Sequence, residues 1–295
     1  MVKEDRKKAI ALNLTATLCF GLMQVCVALT DKGIPIAEQL FFRNLLGLFI
    51  IGFLLWRQHL PFYGGNRKYY PYLVARSAAG FVGVCLLFYG LRNAAQADVT
   101  IMNRLELFTV TAASAIFLHE KIGKIHILSM ILAFAGALVA VNPSFSSSFL
   151  VPFVSGFGVA LCDSILYPII SYLSGKVHPF SIVMSFCTFS TVMSVPFLVG
   201  KFVVPHGVNL LCLLGIGTFA AIAQVAMTYS YRYAPASEMS IYNQLAIVVN
   251  ALLGLVFLHQ VPTVRTWIGG AIVVAASFML FTAKEKGKKK VKSEE

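Results

Sequence analysis

Ten mostly apolar segments follow one another along this chain, each near the roughly 20 residues that a helix needs to cross a bilayer. They cover residues 9–30, 35–56, 71–90, 95–118, 123–141, 150–173, 179–200, 207–230, 235–258 and 263–282. The segments 95–118 and 235–258 are the weakest, since both open on polar residues after very short links. Only 12% of the 295 residues are charged, about half the share usual in a soluble domain. So few charges cannot cover a water-facing surface, and most of the exterior must face hydrocarbon. Backbone in hydrocarbon has to satisfy its own hydrogen bonds. The expected fold class is therefore all-α transmembrane, with ten helices.

Turn residues separate the segments. Asp31-Lys32-Gly33-Ile34-Pro35, Pro61 with Gly64-Gly65-Asn66, Asn142-Pro143, Gly175, His178-Pro179, Pro205-His206-Gly207 and Pro262 mark the links. All the links are short, so no soluble domain is inserted. Trp56 and Trp267 fall at segment ends, where indole rings anchor in the interface. The charged opening Met1–Lys8 precedes a segment too long for a signal peptide and without a convincing cleavage site, so it reads as a retained span.

Placing the N-terminus in the cytoplasm puts seventeen Lys and Arg on that side against four (Lys32, Arg92, Lys201, Arg265) on the other. This is a positive-inside bias, although the two tails supply ten of the seventeen. An even number of spans returns the C-terminus to the same face. The expected location is a bacterial plasma (inner) membrane with both termini cytoplasmic. Placement of charge for orientation also explains the net charge of +12 without nucleic acid. The run Lys284–Lys292 reads as a solvated, disordered tail that can touch anionic membrane lipids. All six cysteines sit inside apolar segments with no Cys-x-x-Cys, and read as small core residues.

The two halves resemble each other at a shift of 140 residues. Tyr89, Arg92, Ala94, Ile101, Asn103 and Leu105 meet Tyr229, Arg232, Ala234, Ile241, Asn243 and Leu245, and Phe117-Leu118-His119 meets Phe257-Leu258-His259. Nine of 32 positions agree without a gap. Five spans per half is an odd number, so the second copy enters the membrane from the opposite side. The expected organisation is a first repeat over 1–142, a second, inverted repeat over 149–283 and a basic cytoplasmic tail over 284–295. Two oppositely oriented halves can exchange conformations and open a shared cavity to either face in turn, as in many secondary transporters.

Phe42-Arg43, Arg76 with Gly80, Tyr89 through Ala94 into Ala97, and Phe117-Leu118-His119-Glu120-Lys121 followed by Gly136 form an ordered series. Its echo is Phe257-Leu258-His259-Gln260 with Gly269-Gly270. This series resembles the drug/metabolite transporter superfamily, specifically its two-repeat, ten-helix EamA-type members, over residues 9–283. Members commonly carry Glu at this helix end in both halves, and Gln260 departs from that. The resemblance implies a central cavity lined by helices one to four and six to nine, with the fifth and tenth at the periphery. It also implies export or exchange of small metabolites. Arg43 and Arg76 in these positions are similar to those of the branch that includes S-adenosylmethionine carriers.

Ionisable groups at membrane depth are expensive and face the protein interior or a wet cavity. Arg43, Arg76, Arg104, Glu38, Glu106 and Asp163 are the candidates. Arg43 and Arg76 suit bidentate binding of a carboxylate or phosphate, or else snorkel or pair with a structural acid. Asn103 and Glu106 are three apart and share a helical face, which leaves Arg104 pointing elsewhere, to pair across helices. Glu106 has no acidic counterpart in the second half, where Ala246 takes its place. That favours substrate or proton chemistry over architecture, the alternative being a salt bridge to Arg43 or Arg76. Gln24 lies on a polar stripe with Asn13 and Thr17. Asp163 lies on one with Gly156 and Tyr167, Gln224 on one with Thr228, and Asn243 beside Tyr242. Each could contact solute or make an interhelical hydrogen bond.

The solute-contacting set is thus Arg43, Arg76, Asn103, Glu106, Gln24, Asp163, Gln224 and Asn243. No metal, cofactor or ATP-binding spacing occurs, and no catalytic constellation, so the chain is not expected to be an enzyme. The expected function is secondary active transport of a zwitterionic or mixed-charge metabolite, amino-acid-like or nucleoside-derived, coupled to protons or to a counter-substrate. The alternative is an exporter of amino acids or of hydrophobic or cationic drugs. A channel would show non-saturating currents, and a scaffold would bind without flux. A homodimer is compatible with the reading.

Overall fold

The computed structural model describes residues 6–106, 108–109, 124–141, 147–173, 175–233 and 245–294. The helices are α1 (Arg6–Leu29), α2 (Ile36–Arg57), α3 (Tyr70–Asn93), α4 (Gln96–Asn103) and α5 (Lys124–Val141). In the second half, Ser147–Pro152, a π turn at Phe153–Phe157 and Gly158–Leu173 run on as α6. Then follow α7 (Pro179–Leu198), α8 (Val208–Tyr233), α9 (Leu245–Leu258) and α10 (Val264–Glu294). Six of these segments are long and apolar enough to span a bilayer: 7–29, 36–57, 67–93, 150–170, 179–198 and 208–230. The chain is an all-α membrane fold of ten helices.

Local chemistry starts and stops these helices. Proline in the first turn needs no hydrogen-bond partner for its nitrogen, and α3 and α7 carry Pro71 and Pro179 in their first turns. His178 caps α7 by accepting the Phe180 N–H. His259 ends α9 in the left-handed region at φ 52°, which makes it a cap residue. At one end of the bundle, Arg92 donates to the carbonyls of Ile34 at 2.7 Å and Asp31 at 3.2 Å. It thereby clamps the α1–α2 link.

Packing is two-fold. α1 lies on α8 and α3 on α6; α2 meets α8 and α3 meets α7; α1 meets α9 and α4 meets α6. The pairs α2–α7, α4–α9 and α5–α10 are their own mates. Every one of these contacts is preserved when each helix is replaced by the one five places on. The α5–α10 pair is closest at Gly136 and Gly269, where an added Cβ on Gly136 would sit 2.7 Å from Ile272. Small residues that let backbones approach are how helices associate where no water drives them together.

Polarity is inverted relative to a soluble protein. Phe49, Phe53, Ile131 and Phe197 are exposed, while Arg43, Arg76, Gln96, Glu106 and Asn250 are buried. Two expectations need correction. The segment 95–118 is not one regular span, because α4 stops at Asn103 and turns through Arg104 and Leu105, with bonds from Leu105 N to Met102 O and from Phe108 N to Leu105 O. Where a disordered tail was expected, α10 is continued as helix through Lys284–Lys292 to Glu294. Ala, Lys and Glu are good helix formers, and a helix already nucleated in the span propagates through them. Residues 110–123 and 234–244, which complete the two weak segments, lie outside the described residues.

Candidate functional site

A central cavity, about 1130 Å³ with its open mouth included, is lined from α1, α2, α3, α4, α6, α7, α8 and α9. α5 and α10 contribute nothing to it among the described residues, as the family resemblance implied. Six of the expected site residues lie on its wall: Gln24, Arg43, Arg76, Asn103, Asp163 and Gln224. Asn243 lies outside the described residues.

The two arginines come from neighbouring helices and converge on one ring. Arg43 Cζ is 5.4 Å and Arg76 Cζ 4.5 Å from the centre of Phe186 on α7. This close approach follows from glycine. A Cβ on Gly80 would meet Phe186 at 2.9 Å, and one on Gly47 would meet Cys187 Sγ at 2.8 Å. Arg76 is 1% exposed and Arg43 6%. Neither has a carboxylate within salt-bridging distance among the described residues. Arg43 Nη1 donates to Asn44 Oδ1 at 3.1 Å, but Arg43 Nε and Arg76 Nε and Nη1 have no hydrogen-bond partner. A buried guanidinium without an acid is costly unless something else supplies the charge.

The acids group around a third arginine. Arg104 lines the cavity and its Nη1 is 3.1 Å from Glu106 Oε1. This corrects one expectation, since Arg104 does not point away, and it sets aside the alternative in which Glu106 pairs with Arg43 or Arg76. The break in α4 is the reason. A regular helix turns residues two apart to opposite sides, whereas the turn at Arg104–Leu105 brings them together. Glu106 is 3% exposed and sits behind Arg104, off the wall. Asp163 is the carboxylate on the wall, a close electrostatic neighbour of Glu106 and in the field of Arg104 and Arg76. The charges form a chain around the cavity: Arg43, Arg76, Asp163, then Arg104 with Glu106.

A neutral network closes another part of the wall. Asn250 Nδ2 donates to Thr100 Oγ1 at 2.8 Å and to Gln24 Oε1 at 3.3 Å, and Asn250 Oδ1 accepts from Gln96 Nε2 at 3.1 Å. Gln96 and Thr100 escaped the sequence reading, although with Asn103 they lie at helical i, i+4, i+7 spacing. Phe186 was also missed, and nothing distinguishes it in the sequence from 23 other phenylalanines. Gly156 is not on the wall; it packs against Val99 and Met102 of α4. Glu38 lies elsewhere, accepting the Val203 N–H at 3.0 Å. Gln260 accepts the Gln96 N–H at 3.0 Å, so an amide holds this helix end.

Residues 7–142 and 152–282 each match the EamA-like transporter family. The chain belongs to that family. EamA-like proteins are transporters and not enzymes, and the chain is an integral membrane protein that moves small molecules. A relative named pseudopaline exporter CntI, from Pseudomonas aeruginosa, is 30% identical over 286 residues, covering 97% of this chain and all of the relative. A riboflavin transporter from Vibrio cholerae is 24% identical over 265 residues, covering 88% of this chain and 83% of the relative. A crystal structure that is 16% identical superposes with a TM-score of 0.71 over 96% of this chain and 99% of the other, which shows the shared fold.

Proposed function

We propose that this EamA-like protein is a secondary carrier that exports a small solute bearing both a carboxylate and a cationic group. The observation that carries the reading is the pair Arg43 and Arg76, buried on the cavity wall with unpartnered N–H groups and no salt-bridging acid among the described residues. A solute carboxylate would supply the missing charge in bidentate fashion. Asp163, next along the wall, suits an amino or other cationic group. Export is favoured over uptake because a relative matched over nearly the whole chain is named an exporter. Pseudopaline is accordingly the first solute to try, followed by amino acids and S-adenosylmethionine.

The neighbouring Asp163 and Glu106 suit proton coupling, because two buried carboxyls side by side disfavour both being charged, and solute binding can displace the proton that one of them keeps. Counterflow into proteoliposomes without ATP tests both parts. Saturable exchange of a carboxylate-bearing solute is expected, with a pH dependence that Asp163→Asn and Glu106→Gln flatten. Exchange limited to cations without a carboxylate would contradict the assignment of the arginines. A pH profile unchanged in both variants would remove the proton role.

The basic bias of the links supports an orientation with both termini in the cytoplasm of a bacterial cell. A membrane-impermeant thiol reagent on intact cells should label a cysteine placed at Lys201 and spare one placed at Lys68. The reverse pattern would invert the topology.

A further inference from the structure

Away from the central cavity, a groove of about 780 Å³, open side included, runs between α3 and α7 on the outside of the bundle. Tyr70, Val74 and Ser77 form one wall, Phe189, Val192 and Met193 the other, and Tyr63 borders it. Val74 is 55% and Val192 57% exposed, so the groove opens toward lipid. The α2–α3 link is pinned over α7, since Ser181 Oγ donates to Pro61 O at 2.5 Å and the Tyr63 hydroxyl lies 3.3 Å from Thr188 Oγ1.

Three features at this place differ from an ordinary lipid-facing furrow. Arg67 and Lys68 occupy the turn immediately before Tyr70, both exposed and without an acidic partner among the described residues. Tyr63 and Tyr70 stand on either side of them in sequence, residue types that favour the headgroup layer. Ser77 lines the apolar part at 1% exposure, and its hydroxyl has no hydrogen-bond partner. Ser77 lies nine residues beyond Lys68, about 13 Å along a helix.

We propose that this groove is a site for one anionic diacyl phospholipid, independent of the solute-binding reading. One acyl chain lies between Val74 and Val192, an ester carbonyl accepts the Ser77 hydroxyl, and Arg67 and Lys68 hold the phosphate. The long basic side chains reach down toward the headgroup as their stems pack on apolar surface. Charge selects the occupant, because a zwitterionic headgroup offers the two cations no net partner. A lipid bound here bridges α3 and α7, which meet around the cavity at Gly80 and Phe186.

Native mass spectrometry of the purified full chain, titrated with phosphatidylglycerol or phosphatidylcholine, tests the site. One phosphatidylglycerol should bind in clear preference to phosphatidylcholine. Arg67→Ala with Lys68→Ala should cut that preference about tenfold. Val74→Trp and Met193→Trp, filling the groove from opposite walls, should each remove the bound lipid, so either serves if the other does not fold. Equal binding of the two lipids, an unchanged preference in the double-alanine variant, or retention in both tryptophan variants would overturn the proposal. Displacement of the lipid by millimolar glycerol phosphate would also overturn it, since the headgroup alone would then account for binding.

Discussion

Arg76→Ala should weaken solute binding by about a hundredfold or more while leaving the fold intact. Removing one partner of a buried, hydrogen-bonded charge pair costs about 2–5 kcal/mol, and in the function proposed above the other partner of Arg76 is the solute's carboxylate. The protein itself loses little. The cation–π contact with Phe186 is worth about 2 kcal/mol when desolvated. Against it stands a desolvation penalty of several kcal/mol for an unpaired buried charge. The second quantity is the larger, so the unfolding midpoint of Arg76→Ala should equal or exceed that of the unsubstituted protein. Arg76→Lys should also fail to transport, because a point charge does not reproduce the planar fork. Counterflow and thermal unfolding in detergent measure the two effects separately. A variant that loses midpoint and transport together would make Arg76 structural.

The opposite outcome is expected at Arg104. Its guanidinium is tied to Glu106 at 3.1 Å and acts on Asp163. Arg104→Ala leaves two adjacent carboxyls without their nearest cation. Breaking a buried pair by removing one member costs about 3–5 kcal/mol, so the unfolding midpoint should fall sharply. Adding Asp163→Asn and Glu106→Gln to Arg104→Ala should recover most of that loss, since neutral amides need no counter-charge. A fully stable Arg104→Ala protein, or a triple variant no better than the single, would show that the acids do not depend on this arginine. Arg76, without a salt-bridging acid among the described residues, and Arg104, paired with Glu106, are thereby told apart by the sign of their effect on stability.

How much of this was legible beforehand follows from what each level of structure depends on. Spans 36–57 and 179–198 could be read from the chain because hydrocarbon demands continuous apolar helix over a known length. The pairing of helices in two-fold fashion was foreshadowed by the matches between Tyr89–His119 and Tyr229–His259. Arg43, Arg76 and Asp163 were recognisable because a charge within an apolar segment has few places to go other than a cavity. Arg104 was misjudged because its direction depends on a local break in α4, where hydrogen bonds shorten from four residues to three at Leu105 and Phe108. No periodicity rule registers such a break.

The sequence by itself determined that the chain is a ten-helix membrane protein of two related halves, and which polar side chains must turn inward. Those are consequences of transfer free energy, which acts on each residue where it stands. Tertiary structure alone decided the partnerships. It set Arg43 and Arg76 against Phe186 through the close approaches at Gly47 and Gly80, bound Arg104 to Glu106, and joined Gln24, Gln96, Thr100 and Asn250 across three helices. Hydrogen bonds, including those inside an ion pair, weaken steeply beyond a narrow range of distance and angle. Their partners are therefore fixed only once packing has brought distant segments side by side.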